Sequence, residues 1–244
     1  MHPDWLNFID EKRRDNLLRI LEELSGLQDK NHLNFIIVGA LPLLFAGYLK
    51  YKRYWDIDIL FKDHMHLTEF IEKPKSNNLR IVDYDEALMV SKNISSFHTA
   101  WTFGHVWFNV DYILRRGFFE YHTHSIAQLR RFKDTVNFNG GSYEIDLYIA
   151  HTWSIIVEKI FSPRLARDME SKIDTSVDLT HIIRVYNQEK DNMDFWKYTF
   201  EKAQLLQSKE AFKKAFLKIL DALDELGYGD IQVSAKSLEI LRAA

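Results

Sequence analysis

Apolar residues recur at helical spacing from residue 10 to residue 27, where Leu17, Leu18, Leu21 and Leu24 form a stripe with Glu, Lys and Arg opposite. The pattern then becomes a continuous apolar run, Leu33 to Val38, which predicts a buried strand. Gly39-Ala40 opens a short apolar helix to about Leu49, with Pro42 in the first turn, where its missing N–H is tolerated. The basic, aromatic link Lys50-Tyr51-Lys52-Arg53-Tyr54 leads into a second strand, Trp55 to Phe61. Asp63 to Lys73 predicts a helix and Leu79 to Tyr84 a short strand.

Phe97 to Phe103 and Val106 to Leu114, joined around Gly104, predict a β-hairpin with Asp111 inside its second strand. Ser125 to Arg131 reads as helix. Thr135 to Phe138 and Tyr143 to Ile149 flank Asn139-Gly140-Gly141, a strong hairpin-turn signal. Past Ala150 the strand pattern stops, and His151 to Phe161, Ser176 to Tyr186, Asp191 to Leu206, Lys209 to Leu226 and Ser234 to Arg242 all favour helix. The expected class is therefore α+β: a mixed sheet with flanking helices over residues 1–150, then an all-helical bundle domain over 151–244. Leu217, Leu220, Leu223 and Leu226 supply packing for the last part of that bundle.

Composition narrows the function classes. At 244 residues with 46% hydrophobic and 27% charged positions, the chain can bury a core like that of an ordinary globular protein. A formal charge of −3 argues against a protein dominated by nonspecific nucleic-acid affinity, though a local basic groove is compatible with it. The absence of cysteine excludes a disulfide scaffold and any Cys-based zinc site. No apolar run is long enough to span a bilayer, and Met1-His2-Pro3-Asp4-Trp5 lacks the layout of a signal peptide, so the expectation is a cytoplasmic protein without a membrane partner.

Candidate chemistry starts with Asp56 and Asp58. Two residues apart on a strand, they point to one face, amid Ile57, Ile59, Leu60 and Phe61. Two carboxylates among apolar neighbours are costly unless a positive charge offsets them, and Mg²⁺ (or Mn²⁺), held by one or two carboxylates plus substrate phosphates, suits that need. A solvated strand edge is the plainer reading of an arbitrary Asp-x-Asp. A two-metal site needs a third acid, and Asp111, in an otherwise apolar strand, is preferred over its competitor Asp146. Gly39-Ala40, at a strand-to-helix turn, could bring backbone N–H groups against phosphate, or could simply be a tight turn.

Val38-Gly39-Ala40, an intervening helix, a basic link and Asp56-Ile57-Asp58-Ile59 resemble the signature of the nucleotidyltransferase superfamily, with its DNA polymerase β-like fold. Glu158-Lys159-Ile160-Phe161, then Arg164 and Lys172, then Ser176-Val177-Asp178-Leu179-Thr180-His181-Ile182, are similar to the Lys-then-Asp-Leu pattern of the AbiEii abortive-infection toxin nucleotidyltransferases. The resemblance covers about residues 33 to 186. It implies a nucleotidyltransferase-fold sheet leading into a helical bundle, with Gly39 and Ala40 at the triphosphate and Asp56, Asp58 and Asp111 holding metal. Asp111 would complete the acidic set as base, Lys159 would pair with nucleotide phosphates, and Asp178 would be the helical-domain acid of the site. Read as residues alone, Lys159 is equally a solvated helix position and Asp178 an acid that favours its helix N-terminus.

The implied reaction transfers an NMP from an NTP to an acceptor hydroxyl on RNA (tRNA) or protein, as the toxin of a toxin–antitoxin system with a cognate antitoxin. Small-molecule nucleotidylation and nucleotide or partner binding without turnover are the alternatives. Three features depart from the family pattern, the first being a long interval from Gly39 to Asp56. Ala40 stands where Ser or Gly is usual, and the basic residue before the acids is met only loosely, by Lys52 or Arg53.

The ten histidines have no metal-ligand spacing; His64 with His66 and His122 with His124 read as surface residues. Trp101, Trp107, Phe108, Phe118 and Phe119 could stack bases but fit a β-rich core better. Lys213, Lys214 and Lys218 with Arg115, Arg116, Arg130, Arg131 and Lys133 could line a path for RNA, although charge runs on helices are usually solvated faces.

Overall fold

A computed structural model of the chain describes residues 3–83, 88–91, 94–124, 129–171 and 176–243. It divides into two compact units, Met1–His151 and Thr152–Ala244. The first is α+β and the second is all-helical, so the predicted class holds.

In the first unit a 3₁₀ turn, Asp4–Phe8, precedes helix α1, Glu11–Leu27. Asp10 caps α1 by accepting from the Lys12 backbone N–H. Strand β1 is Phe35–Val38, fully buried, followed by the short helix α2, Leu41–Phe45. Strand β2, Ile57–Phe61, leads to helix α3, His64–Glu72. Strands β3 (Arg80–Asp83), β4 (Leu88–Ser91), β5 (Ile94–Thr102) and β6 (Phe108–Arg115) precede helix α4, Phe118–Thr123. Strands β7 (Arg130–Phe138) and β8 (Gly141–Ile149) close the unit.

Among the described residues these strands form one eight-stranded mixed sheet in the order β3-β5-β6-β2-β1-β8-β7, with β4 also pairing β5. The β1–β2, β5–β6 and β7–β8 pairs are antiparallel, while β2–β6 and β1–β8 are parallel. The β1–β8 pairing is short, with only Ile37 and Ile149 in register. Gln28, just past α1, reinforces it: its amide donates to the Phe35 and Tyr148 carbonyls and accepts from the Tyr148 N–H. The β7–β8 turn has the positive φ values of a type I′ hairpin, 48° at Asn139 and 79° at Gly140.

One face of the sheet carries the aromatic core. Phe35, Phe61, Phe70 and Tyr112 meet edge to face, Phe70 stacks on Trp101, and the Trp101 indole donates to Tyr112 Oη at 3.0 Å. Burial pushes the Tyr112 phenol up to about 12. Strand β6 alternates accordingly: Phe108, Val110, Tyr112 and Leu114 are buried, whereas Asn109, Asp111, Ile113 and Arg115 stay partly or fully open. That second face is where polar chemistry can reach solvent.

The helical unit comprises α5 (Thr152–Ile160), α6 (Pro163–Glu170), α7 (Val177–Glu189), α8 (Met193–Leu206), α9 (Lys209–Asp221) and α10 (Ala235–Arg242). Its core stacks Tyr186, Phe195, Trp196, Phe212 and Phe216, all at most 1% exposed. Every helix from α6 to α10 begins at a Ser or Asn whose side chain accepts a backbone N–H of its first turn.

Several expectations change. Trp55 and Asp56 lie before β2, so the Asp pair straddles a strand start. The helix after Gly39 ends at Phe45, where Ala46 and Gly47 turn the chain. Arg130 and Arg131 belong to β7, because both pair across to β8, while Ser125 to Gln128 of the expected helix lie outside the described residues. Tyr84, Lys172 and Thr175 also lie outside them. Helices α4 and α6 had no apolar periodicity long enough to predict them. His122 is not a surface residue; it is 1% exposed, against the Tyr121 ring.

Candidate active site

The site is built on neighbouring strands. Asp58 on β2 and Asp111 on β6 are register partners across a parallel pair, so their side chains leave the sheet on the same face. On the other side of β2, Val38 pairs Asp58, which puts Gly39 directly beside it. Gly39 has φ of 71°, and a Cβ there would stand 1.8 Å from Asp58 Oδ2. Only a residue without a side chain allows this turn and this carboxylate to coexist.

Asp56 reaches the same place from the loop before β2. The neighbouring Asp111 charge helps hold its carboxyl above the ordinary range, second to the crowding that strips solvent from it. Arg13, Arg53 and a hydrogen bond from Asn109 act in the opposite direction. By surface area Asp56 remains exposed, so it sits at a rim that water reaches while its polar surroundings are thinned.

Asp111 is confined, with 17% of its side chain exposed. His98, its register partner on β5, places Nδ1 3.0 Å from Asp111 Oδ1. The approach meets the distance of an ion pair but not the geometry of a hydrogen bond, and that buried oxygen has no hydrogen-bond donor among the described residues. A buried acceptor left without a donor is costly, about 1–3 kcal/mol, and favours an incoming cation or hydroxyl.

Asp146 is engaged elsewhere. On β8, it receives a bidentate fork from Arg131 on β7, at 2.7 and 2.6 Å, which holds its carboxyl below the ordinary range. Geometry therefore sets Asp111, rather than Asp146, beside Asp58.

Lys159 and Asp178 lie in the helical unit and form a pair there. Lys159, in the last turn of α5, donates to Asp178 Oδ1 at 2.5 Å, and Arg164 of α6 forks both oxygens at 2.8 and 2.6 Å. Burial alone would raise the 2% exposed Asp178 carboxyl; the Lys159 charge and the Arg164 fork overcome it and hold the group far below the ordinary range. Ser176, two residues before Asp178, caps α7, and its hydroxyl donates to Asp168. Asp178 thus joins α5, α6 and α7.

Arg13 and Asn109 were not singled out by sequence, yet both act on Asp56. Arg13 is 7% exposed; its guanidinium donates to the Trp107 carbonyl at 3.1 Å and lies over the Phe108 and Tyr54 rings. The signal was present, since Arg13, Leu17 and Leu21 continue one stripe at i, i+4, i+8. Asn109 stands two residues before Asp111, hence on its face. His98 carried no such signal. The imagined basic path loses two members: Lys213 is buried and donates to the Ala243 carbonyl, and Arg131 is held by Asp146.

The oxygen-only donor set of Asp56, Asp58 and Asp111 fits a hard cation, and the donorless Asp111 oxygen adds to that fit. Among the described residues no three His, Cys, Asp or Glu side chains are gathered closely enough to hold a metal ion between them. No described helix is long and apolar enough to cross a membrane.

No protein-family model matches the chain, and no curated protein matches it. Solved structures align with it at low identity. JHP933 from Helicobacter pylori is 13% identical with a TM-score of 0.42, over 96% of this chain and 89% of that one. An antigenic nucleotidyltransferase-like protein from Paracoccidioides brasiliensis is 14% identical with a TM-score of 0.44, over 91% of this chain and 96% of that one.

Proposed function

We propose that the chain is a divalent-metal-dependent nucleotidyltransferase that transfers an NMP from an NTP to an acceptor hydroxyl. The observation that carries this reading is the Asp58–Asp111 register pair with Gly39 pressed against the Asp58 carboxylate. Such a glycine lets backbone N–H groups of residues 39 and 40 approach phosphate while the acids stay alongside.

Asp56, Asp58 and Asp111 would hold Mg²⁺ or Mn²⁺, which supplies neutralisation of the triphosphate charge and acidifies the attacking hydroxyl. Asp111, with its donorless oxygen, would accept the acceptor's proton as the new O–Pα bond forms. The Pα–O bond to the β-phosphate breaks and pyrophosphate leaves. Arg53 at the exposed link would meet phosphate oxygens, and Arg13 behind Asp56 would keep that carboxylate charged and oriented. Most of the acceleration would come from alignment and fixed charge.

The AbiEii resemblance makes tRNA the first acceptor to try, with a toxin role and a cognate antitoxin as its corollaries; a protein side chain is the second. One observation favours binding without turnover: Lys159, the lysine the resemblance assigns to phosphate, is neutralised by Asp178.

Incubating the protein with each α-labelled NTP, total RNA and total protein tests the proposal. Label should appear in RNA with Mg²⁺ present and vanish with EDTA. Nucleotide binding without label in any acceptor would leave the binding-only reading. Gly39→Ala should lower the transfer rate by about 10²-fold, because its Cβ forces the Asp58 carboxylate aside and displacements near 1 Å have that effect. Its left-handed φ should also cost about 1–2 kcal/mol in urea unfolding. A Gly39→Ala protein with the parental rate would remove the turn from the site.

A further inference from the structure

We propose that Tyr54 and Trp107 form a stacking shelf for a nucleobase beside Asp56, organised from beneath by the buried guanidinium of Arg13. The inference rests on the nucleotidyltransferase reading and adds to it the place of a base.

Large aromatic side chains are mostly buried here: Trp5, Trp55, Trp101 and Trp196 are at most 6% exposed. Tyr54 is 77% exposed and Trp107 is 40% exposed. Scattered exposed rings need no explanation, but these two share one support. Arg13 lies 5.0 Å from the Tyr54 ring centroid and 4.2 Å from that of Phe108, so it fills the space between an exposed ring and a buried one. The same guanidinium donates to the Trp107 carbonyl and fixes the backbone that carries the indole. With the cation on one face, the Tyr54 ring offers its other face to solvent.

The surroundings match a nucleotide. Lys52 and Arg53, both exposed, immediately precede Tyr54, so cation, cation and ring follow one another along the link. Asp56 comes two residues later, and Asn109, which hydrogen-bonds it, two residues after Trp107. A ligand with a flat π face joined to phosphate meets every one of these groups, which neither an aliphatic chain nor an acidic peptide does. Base–aromatic stacking is sequence-tolerant because every base has such a face. The base can come from the NTP or from the RNA acceptor.

The test titrates the full chain with tripolyphosphate, with each NTP and with a short oligoribonucleotide, reading the emission lost between the parent and Trp107→Phe. Quenching of that component by NTP, and not by tripolyphosphate, assigns the base to the nucleotide; quenching by the oligoribonucleotide alone assigns it to the acceptor. Tyr54→Ala and Trp107→Ala should each weaken the same ligand by about 5- to 150-fold, with Tyr54→Phe near the parent. Parental affinity for every ligand in both alanine variants would overturn the shelf, and active transfer in those variants would show that the transferase reading survives without it. Shelf-dependent binding with no transfer under any condition would instead overturn the transferase reading and leave the shelf.

Discussion

Asp58→Asn should lower NMP transfer by about 10³-fold, a loss comparable to removing a preorganised charge-stabilising group from other active sites. The substitution keeps the side chain's shape against Gly39, removes its charge and turns one acceptor oxygen into an amide donor. Asp58 and Asp111 are register partners, and like charges placed directly opposite destabilise a sheet. Unfolding in urea should therefore find the variant as stable as the parent, or more stable by about 0.2–1 kcal/mol. Lost transfer without lost stability is the signature of a carboxylate kept for chemistry. Undiminished transfer by Asp58→Asn would remove this residue from the metal set, and a large drop in stability would reassign it to the fold.

Asp178→Ala should have the opposite signature. It leaves Lys159, 12% exposed, beside Arg164 with no carboxylate between them. Breaking one partner out of a buried ion pair costs about 3–5 kcal/mol, and the lower end applies because Arg164 is 54% exposed. The parent carries a linked pH dependence. The Asp178 carboxyl is held far below its ordinary value, so its contribution is complete above the unfolded value of about 3.9 and is lost as pH falls towards the folded one. Urea midpoints measured from pH 6 downward should fall below about pH 4 in the parent and less steeply in Asp178→Ala. A loss under about 1 kcal/mol would mean that the cluster behaves as an exposed pair. Unchanged stability with lost transfer would favour the role of helical-domain acid.

These two variants mark what could be read from the chain. The Leu17–Leu21–Leu24 stripe, the apolar run to Val38 and the Asn139-Gly140 turn located α1, β1 and the β7–β8 hairpin, because each depends on local periodicity or on backbone conformations few residues accept. Helix α4 and the start of β7 escaped, since six residues make little periodicity and Arg130 and Arg131 enter the strand through partners on β8. Trp101 and Phe108 were rightly assigned to the core, whereas Trp107 belongs to the surface; period-two alternation could have separated the last two.

The sequence alone determined the α+β order, the helical second half and the presence of acids in apolar strands, because composition and spacing are properties of neighbours along the chain. Tertiary structure decided which acids meet. Asp111 lies beside Asp58 because β6 pairs parallel to β2, and Asp146 is claimed by Arg131 because β7 folds back on β8. It also turned Gly39 from a turn residue into a close contact of a carboxylate, and Arg13 from one charge opposite a leucine stripe into a buried cation that acts on Asp56. Pairing register and burial are set by segments far apart in the chain, and no local pattern encodes them.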